Sequence, residues 1–174
     1  FRHESGHHYW NQLIRDTPRL EACRQLFGDD TLDYGEALER HYQQGAPADW
    51  QEHFISSYAT MHPWEDWAET WAHYLHIVDT LETAWQFGTG IRPAVGDDAQ
   101  KGVRVDFDPY QEPSMETLVE HWLPLAFALN SLNRSMGHGP AYPFVISPGA
   151  IEKLGFVHQV VRVPPNTLRP VPQG

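Results

Sequence analysis

The stretch His62-Pro63-Trp64-Glu65-Asp66-Trp67-Ala68-Glu69-Thr70-Trp71-Ala72-His73-Tyr74-Leu75-His76 carries two stripes at helical spacing. At about 100° per residue, Glu65, Glu69, His73 and His76 share one face, while Trp64, Trp67, Trp71 and Leu75 lie largely on another. Pro63 suits a first helical turn, where an N–H has no intrahelical partner. Val78 and Leu81 continue the apolar side, and Gly88 and Gly90 supply a stop. The spacing therefore predicts one long helix from Pro63 to about Phe87. Such a helix packs its aromatic side into a core and turns its carboxylates and histidines toward a metal or toward solvent.

Outward from that helix, the chain reads as mainly α. Helical patterns cover residues 3–15, broken by Thr17-Pro18, then Leu20–Phe27, ended by Gly28, and Asp33–Gln44, ended by Gly45. Pro47 opens another helical segment with Trp50, Phe54, Ile55 and Tyr58 on one side. A later helix runs from Met115 to Met136, with Leu118, Trp122, Leu125, Leu129 and Leu132 as its stripe and Pro124 as a kink. Ser147-Pro148 caps a last one near Gly149–Val160. Residues 88–112 read as a long loop with acidic turns at Gly96-Asp97-Asp98 and Asp106-Phe107-Asp108-Pro109, and a short strand over Val103–Phe107. The Pro-rich stretch 161–174 reads as an irregular tail.

A chain of 174 residues, 41% hydrophobic, suffices for a single domain with its own core. Its net charge of −11 repels phosphate backbones and anionic lipid, so nucleic acid and membrane are excluded as partners. No apolar run approaches the length of a membrane span. One cysteine, Cys23, allows no intrachain disulfide, which points to a reducing, cytoplasmic setting. Phe1 and Arg2 lead straight into the first motif, so the chain is expected to be a fragment of a longer protein. Eleven histidines are many, and histidine is the commonest metal ligand.

That first motif is His3-Glu4-Ser5-Gly6-His7, an HExxH pattern. Residues four apart share a helix face, so both imidazoles reach one ion, and neutral imidazole suits tetrahedral zinc. Glu4, beside the first ligand, is placed to act as a base toward water. Gly6 permits close packing near the metal. Two histidines leave zinc one protein ligand short of a catalytic set. On the residues alone, Glu65 and Glu69 are both candidates for the third position. His73 and His76 read as packing or supporting groups rather than ligands. His8 cannot share the His3–His7 face, and His41, His53, His121, His138 and His158 read as ordinary polar or packing residues.

The pairing of this motif with Tyr58-Ala59 and Glu65-Asp66-Trp67-Ala68-Glu69 resembles the gluzincin peptidases related to anthrax lethal factor and Mlc-titration factor A. The wider string from His62 to His76 is similar to a bacterial family of zinc-binding metallopeptidases, whose members often carry a zinc ribbon ahead of the peptidase domain. The second likeness spans most of the chain; the first covers only the two motifs. By position, the resemblance implies that one zinc ion is held by His3, His7 and Glu65. It implies that Glu69 hydrogen-bonds the far nitrogen of a ligating imidazole, and that Tyr58 aims its phenol at a developing oxyanion. The implied fold is a mainly α, gluzincin-like catalytic domain. Such peptidases bind substrate along a sheet edge preceding the HExxH helix, a portion expected to be missing from this sequence.

The expected activity is zinc-dependent hydrolysis of peptide bonds in a peptide or protein substrate, with Glu4 as general base. The alternative is a non-catalytic zinc-binding domain with a regulatory or partner-binding role. An open fourth coordination position favours the enzyme, and a closed one the structural role.

Overall fold

A computed structural model describes residues 1–93 and 102–162. The expected turn at Gly96-Asp97-Asp98 and most of the expected tail lie outside the described residues. The described fold is mainly α: α1 (Arg2–Leu13), α2 (Leu20–Phe27), α3 (Tyr34–Gln44), α4 (Trp50–His53), α5 (Pro63–Gln86), α6 (Met115–Ser135) and α7 (Pro148–Arg162), with a 3₁₀ turn at Tyr58–Thr60. Two short strands, β1 (Gly90–Ile91) and β2 (Val103–Arg104), pair antiparallel. None of these helices is long and apolar enough to cross a membrane. The chain divides into two compact units, one of Phe1–Tyr74 with the segment from Ile146, the other of Leu75–Val145.

In the first unit, local chemistry sets the helix ends. Gly28 and Gly45 follow α2 and α3 with φ of 99° and 71°, a region that a side chain rarely enters. The Asp33 carboxylate accepts the Glu36 N–H at 2.8 Å and so caps α3. At the start of α5, His62 does the same work with its ring. Its Nδ1 accepts the Trp64 N–H at 3.0 Å, which leaves Nε2 to donate to the Leu32 carbonyl at 3.1 Å.

Gly6 explains why α1 and α5 meet. A Cβ at this position would lie 2.9 Å from the Ala68 Cα and 3.2 Å from the Trp71 Cβ. The helices therefore touch backbone to backbone. Two indoles hold the crossing: Trp67 Nε1 donates to the Gly6 carbonyl at 2.9 Å, and Trp71 Nε1 to the Ser5 hydroxyl at 3.1 Å. Trp67, Ala68 and Thr70 are wholly buried there. Glu65 and His73 are buried as well, at 2% and 5% exposure, while Glu69 is half-buried and His76 exposed, so the polar stripe of α5 faces protein only in part.

α5 is anchored to α7 by a buried ion pair. Lys153 Nζ lies 2.6 Å from Asp66 Oδ2, donates to the His53 carbonyl at 2.9 Å, and stands 4.1 Å from the centroid of the Phe54 ring. Burial pushes the Asp66 carboxyl above its ordinary range, and the Lys153 ammonium counters it. Ser147 caps α7 by accepting the Ala150 N–H at 3.2 Å.

The segment after Pro47 differs from the expected helix. Only Trp50–His53 is α-helical, and Phe54 is extended. The Ser56 hydroxyl accepts the Ala59 N–H at 3.2 Å, a side-chain bond that competes with helical pairing and starts the 3₁₀ turn. Tyr58 consequently stands 37% exposed instead of packing in a core.

In the second unit, Ile77, Val78 and Leu81 of α5 are fully buried, each contributing about 1.5–3 kcal/mol. Ser114 caps α6 by accepting the Thr117 N–H at 3.1 Å, and Pro124 lies inside that helix. The expected stripe holds at Leu118 and Trp122, but Leu132 is 62% exposed, so the far end of α6 is uncovered. The expected strand over Val103–Phe107 is limited to Val103–Arg104.

Candidate metal centre

The i, i+4 spacing stacks His3 and His7 on one face of α1, with ring centroids 4.8 Å apart and planes at 83°. The close crossing at Gly6 sets this face against the first turns of α5. Glu65 approaches both rings: its Oε2 lies 2.9 Å from His3 Nε2 and its Oε1 3.4 Å from His7 Nε2. The two Nε2 atoms are 3.1 Å apart. Among the described residues, His3, His7 and Glu65 form the one group of three or more potential metal ligands, with ligating atoms within 4.8 Å of one another.

A second carboxylate stands behind the first ring. Glu69 Oε1 lies 2.6 Å from His3 Nδ1, and its Oε2 accepts the Ser56 hydroxyl at 2.6 Å. A carboxylate accepts from Nδ1–H, so His3 presents a lone pair from Nε2 toward Glu65 and His7. The Tyr34 hydroxyl donates to Glu65 Oε1 at 3.0 Å. Trp64 covers His7 with ring centroids 4.0 Å apart, and the Tyr58 ring lies 5.9 Å from that of His3.

Whether these groups suit a cation is tested by what they leave unsatisfied. Glu65 Oε2 is buried and has no hydrogen-bond partner despite its 2.9 Å approach to His3 Nε2. Basic atoms this close repel unless a proton or a cation lies among them. Ligands at 2.0–2.1 Å from a tetrahedral zinc sit about 3.3 Å from each other. The observed separations of 2.9, 3.1 and 3.4 Å are close to that edge length. Two imidazoles and one carboxylate also match zinc's preference for mixed nitrogen and oxygen donors. The residues fit the ion.

Burial pushes the Glu65 carboxyl up, but the His7, Tyr34 and His3 contacts outweigh it, and the net shift is down from the ordinary value. Glu65 is held as the anion. Burial, and then Glu65 itself, raise the Tyr34 and Tyr58 phenols, so both stay protonated and able to donate.

Of the remaining residues singled out in the sequence, Glu4 is exposed in the first turn of α1. His73 is buried and His76 exposed, and neither belongs to the group of converging ligand atoms. His8 meets Tyr9 edge to face, with ring centroids 5.2 Å apart. His158 is buried, its Nδ1 3.1 Å from the Tyr74 hydroxyl. Two contributors escaped the sequence reading, Tyr34 and Ser56. Nothing in spacing links Tyr34 to a carboxylate 31 positions on. Ser56, by contrast, interrupts the apolar pattern just before Tyr58, which is a usable sign of a local break.

Residues 1–160 match a family described as "Putative zinc-binding metallo-peptidase". Proteins of Mycobacterium tuberculosis and Mycobacterium bovis, each described as uncharacterized, are 49% identical to this chain over 165 residues, covering 92% of it. The chain spans 45% of the length of these relatives. No solved structure matches it.

Proposed function

We propose that this chain, which belongs to the zinc-binding metallopeptidase family, carries the catalytic centre of a zinc-dependent peptidase, with one zinc ion held by His3, His7 and Glu65. The observation that carries this reading is the convergence of His3 Nε2, His7 Nε2 and the Glu65 carboxylate, with Glu65 Oε2 left without a hydrogen bond. Three protein ligands leave a fourth position for water, as catalytic zinc requires. Bound there, the ion would supply a lowered water pKa and a polarised carbonyl.

The chain's own groups do the rest. Glu4, next to His3 and exposed, accepts the proton of the attacking water and delivers it to the leaving amine. Tyr58, protonated and near His3, donates a hydrogen bond to the oxyanion that forms at the scissile carbonyl. Glu69 fixes the tautomer and angle of His3, and Ser56 holds Glu69 in turn. A peptide or protein substrate follows from the family. A cytoplasmic setting is supported by the single, buried, unpaired Cys23.

Peptide-library cleavage by the zinc-loaded protein, with and without chelator, tests the reading. Glu4→Gln should keep zinc and abolish turnover. Wild-type cleavage rates in Glu4→Gln would remove Glu4 from the mechanism.

A further inference from the structure

Beside the cluster lies an open cavity of about 380 Å³, within the size range of small-ligand sites. Its walls include Trp10, Tyr34, His62 and Trp64, with the aliphatic side chains of Leu20 and Leu32. Two of these walls are shared with the cluster: Tyr34 bonds Glu65, and Trp64 covers His7. A group seated in the cavity is thus one side chain away from the candidate ligands.

The cavity does not select by charge. Arg15 and Arg24 line it together with Asp16 and Asp30, two cations against two anions. Arg24 is already paired with Asp30 at 2.6 Å, and Arg15 donates to Asn11 Oδ1 at 3.2 Å. The rings of Trp10, Tyr34 and Trp64 and the carbons of Leu20 and Leu32 share the lining with Asn11, Arg15 and Asp16, and the rings and carbons reward a large apolar or aromatic group.

We propose that this cavity is the subsite for a large apolar or aromatic side chain of the peptide, adjacent to the bond cleaved at the cluster. The inference rests on the peptidase reading. Leu32 is 53% exposed, in the turn between α2 and α3, so a larger side chain there narrows the cavity without entering the core.

The test uses zinc-loaded Glu4→Gln protein and fluorescein-labelled hexapeptides, identical except that Ala, Leu, Phe or Trp is walked through each position. Fluorescence anisotropy reads the affinity. At one position, Phe or Trp should bind at least about tenfold more tightly than Ala. Adding Leu32→Trp, or Leu20→Phe should Leu32→Trp lose its zinc, should bring that ratio close to one. Equal affinities throughout, no measurable binding, or a preference that survives both substitutions would each overturn the subsite. Turnover of the same peptides by wild type separates the two readings. Selective binding without cleavage removes the peptidase and leaves the pocket. Cleavage without selectivity removes the pocket and leaves the peptidase.

Discussion

The Tyr34 hydroxyl donates a 3.0 Å hydrogen bond to Oε1 of Glu65, the carboxylate that approaches both His3 and His7. This bond ties the first residue of α3 to the first turn of α5, and it fixes the Glu65 carboxylate while Glu69 fixes His3. Partners of this kind orient a ligand and are worth about 10–100-fold in metal affinity. Tyr34→Phe should therefore weaken zinc binding by about that factor. Competition against a chromophoric chelator measures it, and the melting temperature of the metal-free protein should move little.

Glu69 acts on another of the candidate ligands, His3. Its 2.6 Å contact with His3 Nδ1 requires an acceptor there. Glu69→Gln can turn its amide N–H₂ toward the ring and favour the wrong tautomer, so zinc affinity should fall by about 10–100-fold. Ser56→Ala should show a smaller loss in the same assay, because Ser56 bonds Glu69 and not one of the three candidate ligands among the described residues.

Gly6→Ala sets two effects against each other. Alanine gains about 1 kcal/mol of helix propensity over glycine. Its Cβ, however, would meet the Ala68 Cα at 2.9 Å, and backbone cannot rotate away. Overpacking costs about 1–3 kcal/mol and forces α1 off α5. The net result should be lower stability in urea unfolding, together with weaker zinc binding, because His3 and His7 ride on the displaced helix.

Lys153→Met should be among the most damaging substitutions outside the site. It leaves the Asp66 carboxylate, at 0% exposure, without its cation, and breaking such a pair costs about 3–5 kcal/mol. Pairing it with Asp66→Asn should recover part of the loss. Urea midpoints of the two single variants and the double variant measure the coupling.

Cys23 reports on folding. Burial pushes its thiol up to about 12, and thiol reagents attack the thiolate. At pH 8 the native protein should resist a thiol-reactive dye and become labelled only in denaturant. Labelling at the rate of a free thiol under native conditions would contradict its buried place on α2.

Much of the fold is legible in the sequence because it rests on local signals. Asp33, Ser114 and Ser147 cap helices as their types suggest, and Pro63 begins α5. What escapes is chemistry between distant positions. Glu65 and Glu69 share a face of α5, and periodicity alone cannot rank them. The backbone contact at Gly6 sets Glu65 against both Nε2 atoms and Glu69 against the far nitrogen of His3. The helix expected through Tyr58 is lost to one serine hydroxyl. The stripe of α6 promises burial at Leu132, which is instead 62% exposed.

In the proposed metal centre, two imidazoles of α1 and one carboxylate of α5 hold a single ion. Zinc content per chain, measured by mass spectrometry on protein purified without chelator, tests it most directly. One zinc in wild type and in His8→Ala, and none in His3→Ala, His7→Ala or Glu65→Ala, is the predicted pattern. A zinc-free wild type, or a Glu65→Ala protein that keeps its full complement, would contradict it.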